Sequence, residues 1–319
     1  MLPVLITIDT EYASGLAAAG CAENYARCLG CDTPDGPVGI GYQMEVLDRH
    51  GLKAVFFVDP MPALVWGDDA ILRVVEPILA RGHEVQLHLH TEWLALADTS
   101  PIAPSRTGRN LSDFSCAEQE ALIGWAAERL VAAGVPRPNT FRAGNYGAND
   151  DTLRALARLG IGYDTSFAPA LVGGDCRIGL GRDDLAPILR EGVREVPISA
   201  IGARGGLRHA QLTALSLSEI KAGVRHAAAQ EWPAFVLVSH SFEMINRERG
   251  IANRIVKRRF EGLCAWFEAE PGIGTGGFHD APVRARLDAP RGKPTAAPRH
   301  RLRELLRTGE QAYANAVYG

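Results

Sequence analysis

Val4-Leu5-Ile6-Thr7-Ile8-Asp9-Thr10-Glu11 is a short apolar, β-branched run that stops on two carboxylates, and its pattern decides the fold class. Residues two apart in a strand share a face, so Thr7, Asp9 and Glu11 lie on one side and Val4, Ile6 and Ile8 on the other. Runs of the same kind recur at 53–58, 84–89, 139–142, 162–166, 195–198 and 235–240, most of them separated by enough chain for a helix. Short strands alternating with longer helical patterns predict repeated β-α units, roughly seven of them, around a mainly parallel sheet.

Several helix boundaries are legible. Ser115 with Glu118, and Ser216 with Glu219, have the spacing of a capping box, in which hydroxyl and carboxylate satisfy orphaned backbone amides. Helices over 116–133 and 217–230 follow, and others are expected at 39–50, 69–81, 149–159 and 251–270. Glycines 51, 82, 134 and 160 close most of them. The connections at 12–38 and 97–113 are long, and each follows a strand that carries polar residues; loops of this length are expected to shape a binding site or to be disordered. After about residue 285 the composition shifts to Pro, Arg and Ala. The expectation is one domain over 1–285 and a peripheral C-terminal tail, 286–319, with a short helix.

The chain has 319 residues, 46% hydrophobic and 22% charged, which suits a globular protein with a sizeable core. A formal net charge of −3 gives no electrostatic reason to expect nucleic acid or an anionic membrane as partner. No stretch approaches the roughly 18 apolar residues of a membrane span. The first residues lack a basic n-region and read as a buried strand, so a cytoplasmic location is expected. Oligomeric state is not legible. Six cysteines are sparse for a disulfide framework; Cys21, Cys28 and Cys31 could form a structural zinc site, but a single C-x-x-C favours ordinary loop thiols.

The chemistry-bearing residues gather at strand ends. In Glu84-Val85-Gln86-Leu87-His88-Leu89-His90 the alternation puts His88 and His90 on one face. Two imidazoles at this spacing, in a chain that offers two carboxylates at another strand end, point to a metal site, with zinc the default for mixed His and carboxylate ligands. Arg142, which stays charged, should pair with a carboxylate such as Asp9 and hold it oriented. Phe235-Val236-Leu237-Val238-Ser239-His240 ends in a group able to exchange a proton near neutral pH. Singly, each has a bland alternative: a cap, a structural His, a structural ion pair. Together they fall at the C-terminal ends of parallel strands, where α/β barrels gather catalytic groups. Tyr146, Asn145 and Trp93 are the expected substrate contacts, with a neutral or small molecule as ligand.

The order of these motifs resembles the polysaccharide deacetylase family, carbohydrate esterase family 4. The matching stretches are Thr7 to Glu11, Gly51 to Val58, Gly82 to His90, Phe141 to Gly147 and Leu237 to His240. The resemblance implies an irregular (β/α) barrel and a metal-dependent hydrolase that removes an acetyl group from a sugar-linked amide. Asp9 matches the family's general base, Arg142 the arginine that orients it, and His240 the general acid. Thr10 and Glu92 stand where the family has metal ligands, which leaves His88, His90 and Glu11 or Asp9 to hold the ion. These departures mark a divergent branch, with D-T-E and H-L-H in place of the usual motifs. Related C–N hydrolysis of a small amide, or a barrel that binds carbohydrate without turning it over, are the alternatives.

Overall fold

The computed structural model describes residues 1–103 and 105–318. Seven strands lie side by side: β1 (Leu2–Thr10), β2 (Val55–Val58), β3 (Glu84–Leu89), β4 (Thr140–Ala143), β5 (Tyr163–Asp164), β6 (Val193–Glu195) and β7 (Phe235–His240); six overlap the expected runs well, while β6 shares only Glu195 with the run expected at 195–198. Their order is β7-β1-β2-β3-β4-β5-β6, every neighbouring pair parallel. Two short strands extend the sheet: Ile188–Arg190 runs antiparallel to β6, and Ile273–Thr275 pairs with the start of β1.

Beyond β6 the chain returns to the free edge of β7 and closes the ring irregularly. The Ser199 amide donates to the Val236 carbonyl at 3.3 Å, and the Leu212 amide to that of Val238 at 2.9 Å. Val238 in turn donates to Ala210 at 2.8 Å. Between these contacts stands an antiparallel hairpin, Ala200–Ala203 with Gly206–His209. The result is a distorted (β/α) barrel.

The helices that cover it are α1 (Ile40–Arg49), α2 (Asp69–Ala80), α3 (Cys116–Ala132), α4 (Asp150–Arg158), α5 (Leu217–Ala229), α6 (Arg254–Ala269), α7 (Ala281–Asp288) and α8 (Arg301–Tyr318). Both expected capping boxes are present, at Ser115/Glu118 and Ser216/Glu219. Gly51, Gly82, Gly134 and Gly160 all take positive φ just past a helix, the left-handed geometry that releases the last turn.

The two faces of β1 part as the period of two requires. Val4, Ile6 and Ile8 join the large core under the helices, whereas Leu5 joins the barrel interior with Val55, Phe57, Val236 and Val238. Phe278, Val283 and Leu287 belong to the same interior cluster. The domain limit expected near 285 therefore falls inside α7, a helix whose apolar side is part of the barrel. Nor is the tail beyond it loose: Arg307 of α8, almost fully buried, pairs with Glu219 at 3.2 Å, and Arg259 with Glu310 at 2.8 Å. Among the described residues, no helix is long and apolar enough to cross a membrane.

Candidate active site

The inward ladders of four strands end in polar groups at the same level. Thr7, Asp9 and Glu11 rise from β1, Gln86, His88 and His90 from β3, Arg142 from β4 and His240 from β7. Register fixes their neighbours: Asp9 lies beside His240 and Phe57, and His88 beside Arg142. Apolar rungs below and polar rungs above make a dry-floored cup.

Arg142 is completely buried, and each of its three side-chain nitrogens is hydrogen-bonded. Its Nη1 donates to Asp9 Oδ1 at 2.5 Å, Nη2 to Thr7 Oγ1 at 2.9 Å and Nε to the Thr165 carbonyl at 3.3 Å. Its guanidinium also sits 4.3 Å from the centre of the Phe57 ring. Asp9 keeps its second oxygen for the cup, where Oδ2 stands 3.7 Å from His240 Nε2. Asp9 thus pairs with Arg142 as expected.

Glu11 meets both histidines through Oε2, 3.2 Å from His88 Nε2 and 2.5 Å from His90 Nε2. These are the only metal-ligating side chains that converge among the described residues, with ligand atoms all within 4.8 Å of one another. The other ring nitrogens are held from behind. His88 Nδ1 lies 2.7 Å from the Arg142 carbonyl, and His90 Nδ1 lies 3.1 Å from Glu92 Oε2. Both Nε2 atoms are therefore free to face an ion, the usual support for ligating histidines. The donor set, two imidazoles and a carboxylate, fits a divalent cation of the zinc type. Burial alone would lift the Glu11 carboxyl, but the two imidazoles hold it well below the usual range. Burial would likewise depress His90, yet Glu11, Glu92 and Asp59 push it well up. An anionic cup that stabilises a proton on an imidazole stabilises a cation for the same reason.

Thr10 and Glu92, at the family's ligand positions, do other work. The Thr10 hydroxyl donates to the Ile8 carbonyl at 2.9 Å and takes no part in the cluster. Glu92 braces His90 and accepts from Asn145 Nδ2 at 2.9 Å. Asn145, expected on the substrate, thereby spends its amide on that brace and on the Arg109 carbonyl. Trp93, a second expected contact, is fully buried and packs edge-on against Trp66 at 5.1 Å, so it offers no face to a ligand. Its short helical turn points it into the core. Tyr146 does reach the interior: its hydroxyl is buried without a partner, and burial raises its pKa among Arg142, Asp9 and Glu243.

His240 is oriented by Glu243, a residue that sequence reasoning passed over although it stands three positions further on. His240 Nδ1 lies 3.1 Å from Glu243 Oε1, which also accepts from Gln211 at 2.5 Å and Thr213 at 3.1 Å. Burial would depress the imidazole, but Glu243, with Asp9 and Glu11, outweighs it and pushes the pKa up to about 9. Gln43 of α1 holds the His240 carbonyl at 3.1 Å. Asp59 was missed as well. It continues the inward parity of Val55 and Phe57, accepts from the amides of Met61 and His90, and leaves Oδ2 buried and unpartnered. Burial pushes it up to about 6. Cys28 and Cys31 are buried thiols, raised by burial, and among the described residues they join no metal-ligand cluster.

Residues 35–163, which include β2 to β4 and both histidines, match the model of the polysaccharide deacetylase family. Over that segment the chain is similar to that family. The polysaccharide deacetylase match is joined by a curated relative, the peptidoglycan deacetylase-like protein FGM2 of Gibberella zeae, 26% identical over 172 residues. That alignment takes in 52% of this chain and 44% of the relative, so the chain spans less than half of that protein. Among solved structures, a Mycobacterium smegmatis protein assigned to the polysaccharide deacetylases superposes with a TM-score of 0.57 at 17% identity, covering 93% of this chain and 94% of that one. A 4-alpha-glucanotransferase from Thermococcus litoralis gives 0.58 at 11% identity, over 93% of this chain and 41% of that chain. At such identities the likeness is one of fold, and it agrees with the distorted barrel.

Proposed function

We propose that the chain is a metal-dependent hydrolase that removes an acetyl group from the nitrogen of a sugar or sugar-linked substrate. The observation that carries this is the convergence of Glu11, His88 and His90 beside the Asp9–Arg142 pair and His240. A divalent ion held by Glu11, His88 and His90 would supply Lewis acidity towards the acyl carbonyl. Arg142 fixes one oxygen of Asp9 and leaves the other to take a proton from attacking water. His240, braced by Glu243 and facing Asp9, gives a proton to the departing amine. The buried, unpartnered Tyr146 hydroxyl is placed to meet a polar group of the substrate. Zinc suits the donor set best.

Metal content decides the first part. The purified protein is expected to hold about one equivalent of zinc or another divalent ion, and the His88→Ala, His90→Ala double variant to lose it. Acetate release from N-acetylated sugars and nucleotide-sugars tests the second part. Asp9→Ala and His240→Ala should each cost on the order of 10²-fold or more in turnover, with the fold retained. Wild type that binds no metal after reconstitution would sink the hydrolase and leave a barrel that only binds.

A further inference from the structure

Next along the sheet from Arg142 lie two carboxyls that the proposed chemistry does not use. Asp164 and Glu195 are register partners on β5 and β6, and both are completely buried. Asp164 Oδ1 accepts from the Ser166 hydroxyl at 2.8 Å, and Oδ2 from the Ser166 amide at 3.2 Å. Glu195 Oε1 accepts from the Phe167 amide at 3.1 Å. Its Oε2 is buried and receives no donor. An ionised carboxylate can only accept, whereas a protonated one has a hydrogen to give. Two adjacent carboxylates shut away from water do not both ionise, and Arg142, the cation near both, favours a single negative charge. Asp164 faces two donors and suits the anion; Glu195, with its idle oxygen, suits the acid. Burial, and then the charge of Asp164, push Glu195 well up.

The pair also has a mechanical link to the site. The Ser166 hydroxyl that donates to Asp164 accepts from the Ala143 amide at 2.9 Å. Ala143 follows Arg142 and leads into Gly144, Asn145 and Tyr146, the last two in the left-handed region at φ 56° each. Such a turn persists only where its surroundings over-determine it.

We propose that Glu195 keeps a proton and donates it to Asp164, and that this acid pair is a positioning element which, through Ser166, fixes the turn carrying Arg142 and Tyr146. Its kinetic consequence rests on the deacetylase reading; the state of the pair does not. Glu195→Gln supplies an amide donor in place of the acid hydrogen and keeps an oxygen for Phe167. Asp164→Asn loses an acceptor oxygen. Ser166→Ala removes the acceptor of the Ala143 amide together with the hydroxyl donor to Asp164, and leaves the Ser166 backbone amide on Asp164.

Infrared difference spectra at neutral pH should show an un-ionised carboxyl in the wild type and in Ser166→Ala, and none in Glu195→Gln. Amide exchange over 141–147 should quicken in Asp164→Asn and Ser166→Ala and stay at the wild-type rate in Glu195→Gln. With an active wild type, kcat should fall roughly tenfold to a hundredfold in Asp164→Asn and Ser166→Ala, recover in Ser166→Thr, and hold within about twofold in Glu195→Gln. No un-ionised carboxyl, or Glu195→Gln as harmful as Asp164→Asn, would overturn the shared proton. Unchanged exchange in Ser166→Ala would overturn the link. A wild type that turns over no acylated sugar defeats the deacetylase reading, while the spectra and exchange still decide the pair.

Discussion

At the level of single residues, the site is held by side chains with no spare freedom. His90 is one: a Cβ added at Gly144 would stand 2.7 Å from three atoms of its ring. Gly144→Ala must push His90 off Glu11, and metal affinity, measured by competition with a chelating dye, is expected to drop about 10- to 100-fold, the scale seen when the support of a ligand is disturbed. His83 offers a different reading. Its side chain is fully buried, with Nδ1 accepting from the Ala54 amide at 3.4 Å, and burial lowers its pKa to about 4. The unfolded chain takes up that proton near the ordinary value of about 6.5. Stability from neutral His83 is therefore present above about 6.5 and is lost as pH falls towards 4. Urea denaturation across that window should give a steeper fall for wild type than for His83→Gln; parallel curves would refute it.

At the level of elements, the two capping boxes look alike in sequence and differ in weight. At Ser115 the carboxylate of Glu118 serves its helix and an exposed arginine, Arg106. At Ser216 the carboxylate of Glu219 closes the box at 2.8 Å and also receives buried Arg307 from α8. Ser115→Ala and Ser216→Ala should each cost about 1 kcal/mol. Glu219→Ala should cost about 3 kcal/mol, because it takes from buried Arg307 its nearest carboxylate; denaturant midpoints for the three variants check the ranking. This is also where sequence and structure part. The period of two in β1 and β3 named the inward residues, and Ser-x-x-Glu and Gly named the helix ends, because each is local chemistry. Glu243, Gln211 and Gln43 converge on His240 from three segments, and no local pattern announces such a meeting. Trp93 misled for the converse reason: an aromatic after a strand end looks the same whether its turn points it inward or outward.

For the whole molecule, the C-terminal segments contribute unequally. Phe278, Val283 and Leu287 fill the barrel interior, and the amides of Phe278 and His279 are held by Glu84 at 2.9 and 3.0 Å. Chains cut before residue 278 are expected to lose cooperative thermal unfolding. Chains cut after residue 298, which lack only α8, should keep it at a lower midpoint and still bind metal. Circular dichroism and metal titration separate the two outcomes. The shift of composition near 285 falls short of the point where the chain stops filling the barrel, because Leu287 still does so.

The irregular join between Ser199 and β7 turns the ring into a bracelet with a clasp. Six of its seams are continuous parallel ladders that cannot change length by one residue without turning every side chain to the opposite face. The clasp is held by a few isolated bonds on either side of a hairpin, directly beside His240. Residues can be gained or lost there without disturbing a ladder, so the circumference of the mouth is adjustable at the one point where it borders the proton donor, and a lineage could resize what it admits while leaving its chemistry untouched.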